Sequence, residues 1–185
     1  MQKFLEMAAK REFLILDTET TGLHQGEIVE IAIINAHGDK LLETYIHPVN
    51  GIPDDASKIH GITLETVASA PTWCYMVDEI MDIIDGKDLV VYNAVYDRKM
   101  MHQSGEAHGM AKVEWKEVAR WWCAMEAYAE YYGDWNSYRG NYKWQSLTNA
   151  ARQCGIEVNG AHSALGDCRM TLEVINFMLA QAKQT

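Results

Sequence analysis

Apolar residues run unbroken through Phe13-Leu14-Ile15-Leu16 and then give way to Asp17-Thr18-Glu19-Thr20-Thr21-Gly22-Leu23, where two carboxylates stand one residue apart. A short continuous apolar run suits a strand buried on both faces. Alternation along that strand puts Asp17 and Glu19 on one face, about 6–7 Å apart, with Thr18 pointing away. Glu27 to Ile34 is β-branched and partly alternating, Asn35-Ala36-His37-Gly38-Asp39 supplies turn residues, and Leu41 to Ile46 ends before Pro48. Three strands joined by short turns make a meander. Asp54 to Ile59 and Thr63 to Val67 read as two short helical turns around His60-Gly61.

Pro71 opens a helix in which Trp73, Met76, Val77, Ile80, Ile83 and Ile84 recur at helical spacing, with Gly86 as its stop. Leu89-Val90-Val91-Tyr92 follows as a fourth, buried strand, so the helix between strands implies a parallel pairing. A helix over Val95 to Gln103 and a short fifth strand over Val118 to Cys123 come next. Tyr128, Tyr131, Tyr132, Trp135, Tyr138 and Tyr142 crowd the stretch from Ala124 to Trp144, broken by Gly133, Asn136, Gly140 and Asn141. Two readings stand for it: helix packing followed by an aromatic-anchored loop, or a platform on which unpaired bases stack. Helices over Gln145 to Cys154 and Ser163 to Ala182 complete the chain. The order of elements predicts a three-layer α/β fold around a five-stranded mixed β-sheet flanked by helices.

Composition narrows the picture. At 185 residues and 48% hydrophobic, the chain is expected to form a single domain over residues 1–185, with its core at about 12–182. No apolar run approaches the ~20 residues that cross a bilayer, and the charged start Met1 to Glu6 has no signal-peptide core behind it, so a soluble, cytoplasmic protein is expected and no membrane partner. Cys74, Cys123, Cys154 and Cys168 are widely spaced, which argues against a disulfide framework or a Cys-x-x-Cys zinc site. A net charge of −10 disfavours a protein that coats duplex by neutralising phosphates. It is compatible with an enzyme that grips a few nucleotides, because carboxylates loaded with divalent cations present positive charge to phosphate.

Two further acids complete a set. Asp97 follows the fourth strand in Tyr92-Asn93-Ala94-Val95-Tyr96-Asp97, and Asp167 lies in the first turns of the final helix, five residues after His162. Each alone is ordinary, since an acid near a helix N-terminus gains about 0.3–1 kcal/mol from the helix dipole. Together, Asp17, Glu19, Asp97 and Asp167 sit where strand ends of an open α/β sheet collect ligands. Four adjacent carboxylates need compensation to stay ionised, and hard divalent cations supply it. Two such ions can clamp both oxygens of an in-line phosphoryl displacement. His162, on a Gly-bounded approach to the helix, can reach over the site as a base of near-neutral pKa.

The motifs Asp17-x-Glu19-Thr20-Thr21-Gly22-Leu23, His60-Gly61-Ile62-Thr63, Asn93-Ala94-x-x-Asp97 and His162-x-Ala164-x-x-Asp167, in this order, resemble those of the DEDDh exonucleases, whose fold is RNase H-like. The resemblance spans roughly Phe13 to Phe177. It implies metal ligation by Asp17, Glu19, Asp97 and Asp167, two divalent cations (Mg²⁺, with Mn²⁺ able to substitute), and catalytic roles for His162, as general base, and for Glu19. Thr18, Thr20, Thr21, Gly22 and Leu23 would contact the terminal nucleotide, Leu23 wedging against its base. His60 and Asp55 would face the terminal sugar, with Asn93 and Tyr96 lining the same cleft. Tyr92 and Tyr96 stand where the family often has histidine and phenylalanine, which implies altered substrate fit rather than lost chemistry.

The expected activity is metal-dependent 3′→5′ exonucleolysis of single-stranded or frayed DNA, releasing nucleoside 5′-monophosphates. The partner is then a DNA 3′ end, with a polymerase or repair protein as a further candidate. A short-RNA exonuclease and a polymerase-associated binding module remain as alternatives. The placement of His162 disfavours an RNase H-type endonuclease.

Overall fold

The computed structural model describes residues 1–158 and 162–183. Gly160 and Ala161, part of the Gly-bounded approach to the last helix, lie outside them. In chain order the elements are α1 (Gln2–Ala9), β1 (Leu14–Thr20), β2 (Ile28–Asn35), β3 (Lys40–Tyr45), α2 (Asp54–His60), α3 (Trp73–Ile84), β4 (Asp88–Val91), α4 (Ala94–Ala107), α5 (Trp115–Val118), β5 (Arg120–Cys123), α6 (Ala124–Tyr132), β6 (Trp135–Asn136), β7 (Asn141–Tyr142), α7 (Leu147–Gln153) and α8 (Ala164–Ala182). Five strands form one mixed sheet in the order β3-β2-β1-β4-β5. The meander β1-β2-β3 is antiparallel, whereas β4 runs parallel to β1 and to β5.

Alternation along β1 divides the core into two layers. Ile15 faces a cluster built from α1, α6, α7 and α8, including Phe4, Met125, Tyr128, Ala151 and Val174. Leu14 and Leu16 face the opposite cluster, built from α3, α4 and α5 with Trp73, Ile80, Met101 and Trp115. Helix α3 buries Trp73, Met76, Val77, Ile80 and Ile84, the stripe its spacing predicts. Each such side chain contributes about 1.5–3 kcal/mol on burial. Helices α7 and α8 both start at serine caps: Ser146 Oγ accepts the Asn149 N–H and Ser163 Oγ accepts the Gly166 N–H, each at 3.2 Å.

The structure extends the expected elements and adds four. Strand β1 carries Asp17 and Glu19 as expected and ends at Thr20, and α4 runs to Ala107 rather than Gln103. The second of the two expected helical turns forms hydrogen-bonded turns over residues 64–69 instead of a helix. Strand β5 begins at Arg120, because Trp115–Val118 closes one turn of helix before it. Helix α1 was not expected. It buries Phe4, Met7 and Ala8 in the α8-side cluster, and Phe4 packs edge-on against Trp122 with ring centroids 6.3 Å apart. The buried core therefore begins ahead of residue 12. The hairpin β6-β7 was read only as a loop.

The edge of the sheet is held by one polar knot. Asp88 at the start of β4 accepts hydrogen bonds from Arg120 Nε (2.9 Å) and Nη2 (3.1 Å) and from Trp122 Nε1 (2.9 Å) on β5. The Arg120 hydrogen bond holds the Asp88 carboxyl below the usual carboxylate range, with Trp122 adding to the effect. A carboxyl whose folded pKa is depressed stabilises the fold above its unfolded pKa of about 4 and loses that contribution as pH falls through the lower, folded value. Asp88→Asn is expected to cost about 1–2 kcal/mol at neutral pH. Urea titrations of wild type and variant should show this gap closing below about pH 4; a gap that persists unchanged at pH 2 would mean that the charge on Asp88 is not what the knot uses.

Candidate active site

The site is built at the carboxyl ends of β1 and β4, where two parallel strands lie side by side. Asp17 and Glu19 continue the Ile15 face of β1, on the side covered by α8. Cys168 fixes how closely that helix approaches: it is fully buried, and its thiol lies 3.7 Å from Ile15 O and 3.5 Å from Ala32 O. A residue this small lets α8 press on the sheet, and Asp167 is its neighbour. Asp97 arrives from the other layer, in the first turn of α4, with its backbone N–H bonded to Asn93 O at 3.3 Å. Thr18, on the α4 side of β1, donates its hydroxyl to Asp97 Oδ1 at 2.8 Å and fixes that carboxylate. This leaves the Thr18 backbone, not its hydroxyl, for any substrate contact.

Donor atoms of Glu19, Asp167 and His162 all lie within 4.8 Å of one another. Burial, with Asp97, Asp167, Glu19 and Glu30 as neighbours, raises the Asp17 carboxyl well above its ordinary value. Burial, then Asp167, Glu30 and Asp97, pushes Glu19 up to about 8. Asp97 is raised to about 7 by burial against the lowering effect of Thr18. Asp167 is also raised by burial, opposed by His162 beside it. Burial of so many acids together, with repulsion added at Asp17, Glu19 and Asp97, marks a place that a cation would relieve. The donors are oxygens with one imidazole, which fits a hard divalent ion and not a thiolate zinc site. His162 has a positive φ of 67°, uncommon outside glycine and a form of strain that gathers at functional sites.

The turn after β1 is braced as a unit. Thr20 Oγ1 lies 2.6 Å from Tyr96 Oη, His60 Nε2 lies 3.3 Å from Thr20 O, and Lys99 Nζ donates to Leu23 O at 3.1 Å. Thr21 Oγ1 accepts the Glu27 N–H at 2.9 Å, while the buried Glu27 carboxylate accepts the Val49 and Asn50 N–H groups at 2.7 and 2.8 Å. Gly26 is required for closeness, because a Cβ there would stand 2.1 Å from Gly22 O. Leu23 is left 69% exposed at the rim. Burial lowers the His60 pKa, and the charge of nearby His162 adds to this, so the two imidazoles share the cleft. Asn93 stands at the N-cap position of α4, where its carbonyl accepts the Tyr96 N–H at 2.9 Å. Asp55 stands apart in its bonding: its Oδ1 accepts the N–H of adjacent Ala56 at 3.0 Å in the first turn of α2. Both unusual tyrosines have work for their hydroxyls, Tyr96 at Thr20 and Tyr92 in a bond to Gln145 O at 2.9 Å. An apolar cavity of about 470 Å³ lined by Trp73, Met101, Gly105 and Trp115 lies toward the far end of α4 and includes none of the acids described above.

One contributor escaped the sequence reading. Glu30 on β2 pairs directly across from Glu19, just before a bulge that sets Thr20 opposite Ile28. Its carboxylate is buried and accepts the Ala164 N–H at 2.9 Å, tying the first residue of α8 to the sheet beside Glu19. An acid set within Ile28-Val29-Glu30-Ile31 was the available signal, since a fully buried strand has no ordinary place for one.

Comparison with known proteins fits this geometry. The sequence signature of the Exonuclease family matches residues 14–175. Exonuclease CP81 of Escherichia phage 186, described as uncharacterized, is 41% identical over 167 residues, covering 88% of this chain and 86% of the relative. The DNA polymerase III subunit epsilon of Treponema pallidum (strain Nichols) is 30% identical over 178 residues, covering 93% and 79%. Exonuclease X in complex with 5′ overhanging duplex DNA superposes with a TM-score of 0.68 at 26% identity, over 92% of this chain and 93% of that one. The chain belongs to the DEDDh exonuclease family. Its fold is accordingly RNase H-like, and its activity is that of a 3′→5′ exonuclease. The nuclease domain of 3′hExo, a DEDDh family member bound to rAMP, shares the fold at a TM-score of 0.71 and 19% identity, with 92% of each chain covered. Divalent metal ions are implied by the family, and the Glu19, His162 and Asp167 cluster could hold one. Among the described residues, no helix is long and apolar enough to cross a membrane.

Glu30 gives the sharpest test of how the site is held. Glu30→Ala leaves the Ala164 N–H without its acceptor and is expected to cost about 1–3 kcal/mol, with exonuclease turnover falling at least tenfold. Glu30→Gln keeps an acceptor oxygen and should retain most activity. Equal losses in both variants, measured by thermal unfolding and turnover side by side, would point to the charge and not the tether.

Proposed function

We propose that this single-domain chain removes nucleotides from the 3′ end of single-stranded or frayed DNA, releasing nucleoside 5′-monophosphates. The observation that carries this reading is the convergence of Asp17, Glu19, Asp97 and Asp167 with His162 at one sheet end. Support for DNA comes from the relatives, a DNA polymerase III subunit and an exonuclease held on overhanging DNA. The first of these also makes a polymerase a candidate partner.

The four carboxylates would hold two divalent cations, Mg²⁺ or in its place Mn²⁺. When bound, the ions would neutralise the acids and polarise the attacking water and the scissile phosphate. Glu19, one of those ligands, has its carboxylate within 4.8 Å of donor atoms of His162 and Asp167, so it would stand next to the base. An imidazole nitrogen of His162 takes a proton from the water as its oxygen bonds to phosphorus and the bond to the 3′ oxygen breaks. That 3′ oxygen stays on the shortened strand and takes its proton from solvent water. Thr20 to Leu23 would seat the terminal nucleotide, with Leu23 against its base and His60 and Asn93 near its sugar; Tyr96 would shape the seat through Thr20. Asp55 would reach the sugar only from the rim. A short-RNA substrate is the second reading; the −10 net charge suits short ligands over long polyanions and is the same for either sugar.

Digestion of 5′-labelled and 3′-labelled single-stranded DNA and RNA, with Mg²⁺, Mn²⁺ or chelator, decides these points. Wild type should shorten 5′-labelled DNA stepwise with metal and leave it intact in chelator. Asp17→Ala is expected to lose at least ~10²-fold in rate, and His162→Ala about 10²–10⁴-fold. Wild-type rates in Asp17→Ala, or intact substrate with metal present, would sink the assignment; faster digestion of RNA would move the substrate to the second reading.

A further inference from the structure

The aromatic stretch divides into two parts with different work. On α6 the rings are packed: Tyr128 is buried, and Tyr131 meets Phe177 edge-on at 6.3 Å. Beyond Gly133 the rings turn outward, with Trp135 53%, Trp144 63% and Tyr138 96% exposed. The hairpin that carries them is held in shape. Trp135 and Tyr142 pack edge-on at 5.0 Å, Lys143 N–H donates to Asp134 O at 2.8 Å, and Asn136 Oδ1 accepts the Tyr138 and Arg139 N–H groups at 3.1 Å each. Tyr138 therefore stands at the apex of a fixed turn.

An isolated two-stranded hairpin is marginal in water, and exposing three large rings on one gains the fold nothing. Two cations, Arg139 and Lys143, oppose one acid, Asp134, in this segment of a chain whose net charge is −10. The Arg139 guanidinium makes no hydrogen bond or ion pair among the described residues; only its backbone N–H is engaged, by Asn136. Arg139, Lys143, Tyr142 and Trp144 line a shallow, mainly apolar groove of about 330 Å³. Both ends of the excursion close on one residue: Tyr92 O accepts the Met125 N–H at 2.9 Å, and Tyr92 Oη donates to Gln145 O. The next residue is Asn93, whose carbonyl accepts the N–H groups of Tyr96 and Asp97 in the first turn of α4.

We propose that the β6-β7 hairpin is a second subsite for the single strand, on which bases upstream of the 3′ end stack against Tyr138 and Trp144 while Arg139 meets a phosphate. It rests on the exonuclease reading for its substrate. Exposed aromatics with interleaved cations are the chemistry that holds unpaired strands without reading sequence. A subsite set back from the cleft matters only to strands long enough to reach it.

The test compares Tyr138→Ala, Trp144→Ala and Arg139→Ala with wild type on oligothymidylate of ~12 nucleotides and on the dinucleotide. Affinity is read by fluorescence anisotropy in chelator, and KM and kcat with Mg²⁺. Each variant should weaken the long strand about tenfold, through affinity and KM, with kcat held and the dinucleotide unaffected. Equal loss on the dinucleotide, or no loss on the long strand, overturns the proposal. Loss of a wild-type dimer on sedimentation of Tyr138→Ala, with affinities unchanged, would overturn it in favour of a contact between copies. Binding in chelator separates the two readings: a wild type that binds the long strand through the hairpin but cleaves nothing refutes the nuclease reading alone.

Discussion

Repulsion among five carboxylates at one end of a sheet is the constraint to which the surrounding structure answers. Asp17, Glu19, Glu30, Asp97 and Asp167 come from β1, β2, α4 and α8, and burial raises the proton affinity of each. Nothing in folding alone favours gathering them. They are held because the apolar faces on either side of β1 fix α4 and α8 independently, so the acids are carried to the site by elements anchored elsewhere. Neutral hydrogen-bond donors then take up part of the charge: the Thr18 hydroxyl on Asp97, and the Ala164 N–H on Glu30. What remains unanswered is the share that a cation would take.

The two layers contribute differently to that arrangement. Helix α4 delivers Asp97 from a backbone already fixed by Asn93 and gives Tyr96 and Lys99 to the turn after β1. Helix α8 delivers Asp167 and His162 from its N-terminal end, where Cys168 sets the depth and Glu30 the position. Close packing along Cys168 means that a larger side chain there would lift Asp167 off Asp17. The turn between β1 and β2 is rigid for a different reason: Gly26 admits the Gly22 carbonyl, and the Glu27 carboxylate ties the turn to the bend at Val49 and Asn50 after β3.

Elements with strong local patterning were legible, and those defined by distant partners were not. The apolar run ending at Asp17, the α3 stripe and the α8 stripe each named their own burial, and the four motif acids stood at strand ends and helix starts where local rules put ligands. Helix α1 was missed because Phe4, Met7 and Ala8 make too short a pattern to stand without the α8 surface they cover. Glu30 was missed because its meaning depends on the register that sets it across from Glu19, and pairing register is a long-range property. The two tyrosines were visible as departures, but not that one hydroxyl braces the turn after β1 while the other anchors the segment that follows the hairpin.

Net charge is where local and global properties pull apart. A chain at −10 repels a polyanion at long range, so steering by overall field cannot be what brings a strand to this cleft. Attraction has to arise at short range, within about 8–10 Å at physiological salt, from groups that face the strand directly. Beside the turn after β1 the cation is Lys99; along the hairpin the proposed subsite offers Arg139 and exposed rings, whose stacking is indifferent to net charge. Under the proposed function, an acidic exonuclease of this build would rely on short-range contacts made a few nucleotides at a time. The sign of the total charge thus bears on how long the enzyme stays on a strand, while the carboxylates at the strand ends bear on what it does there.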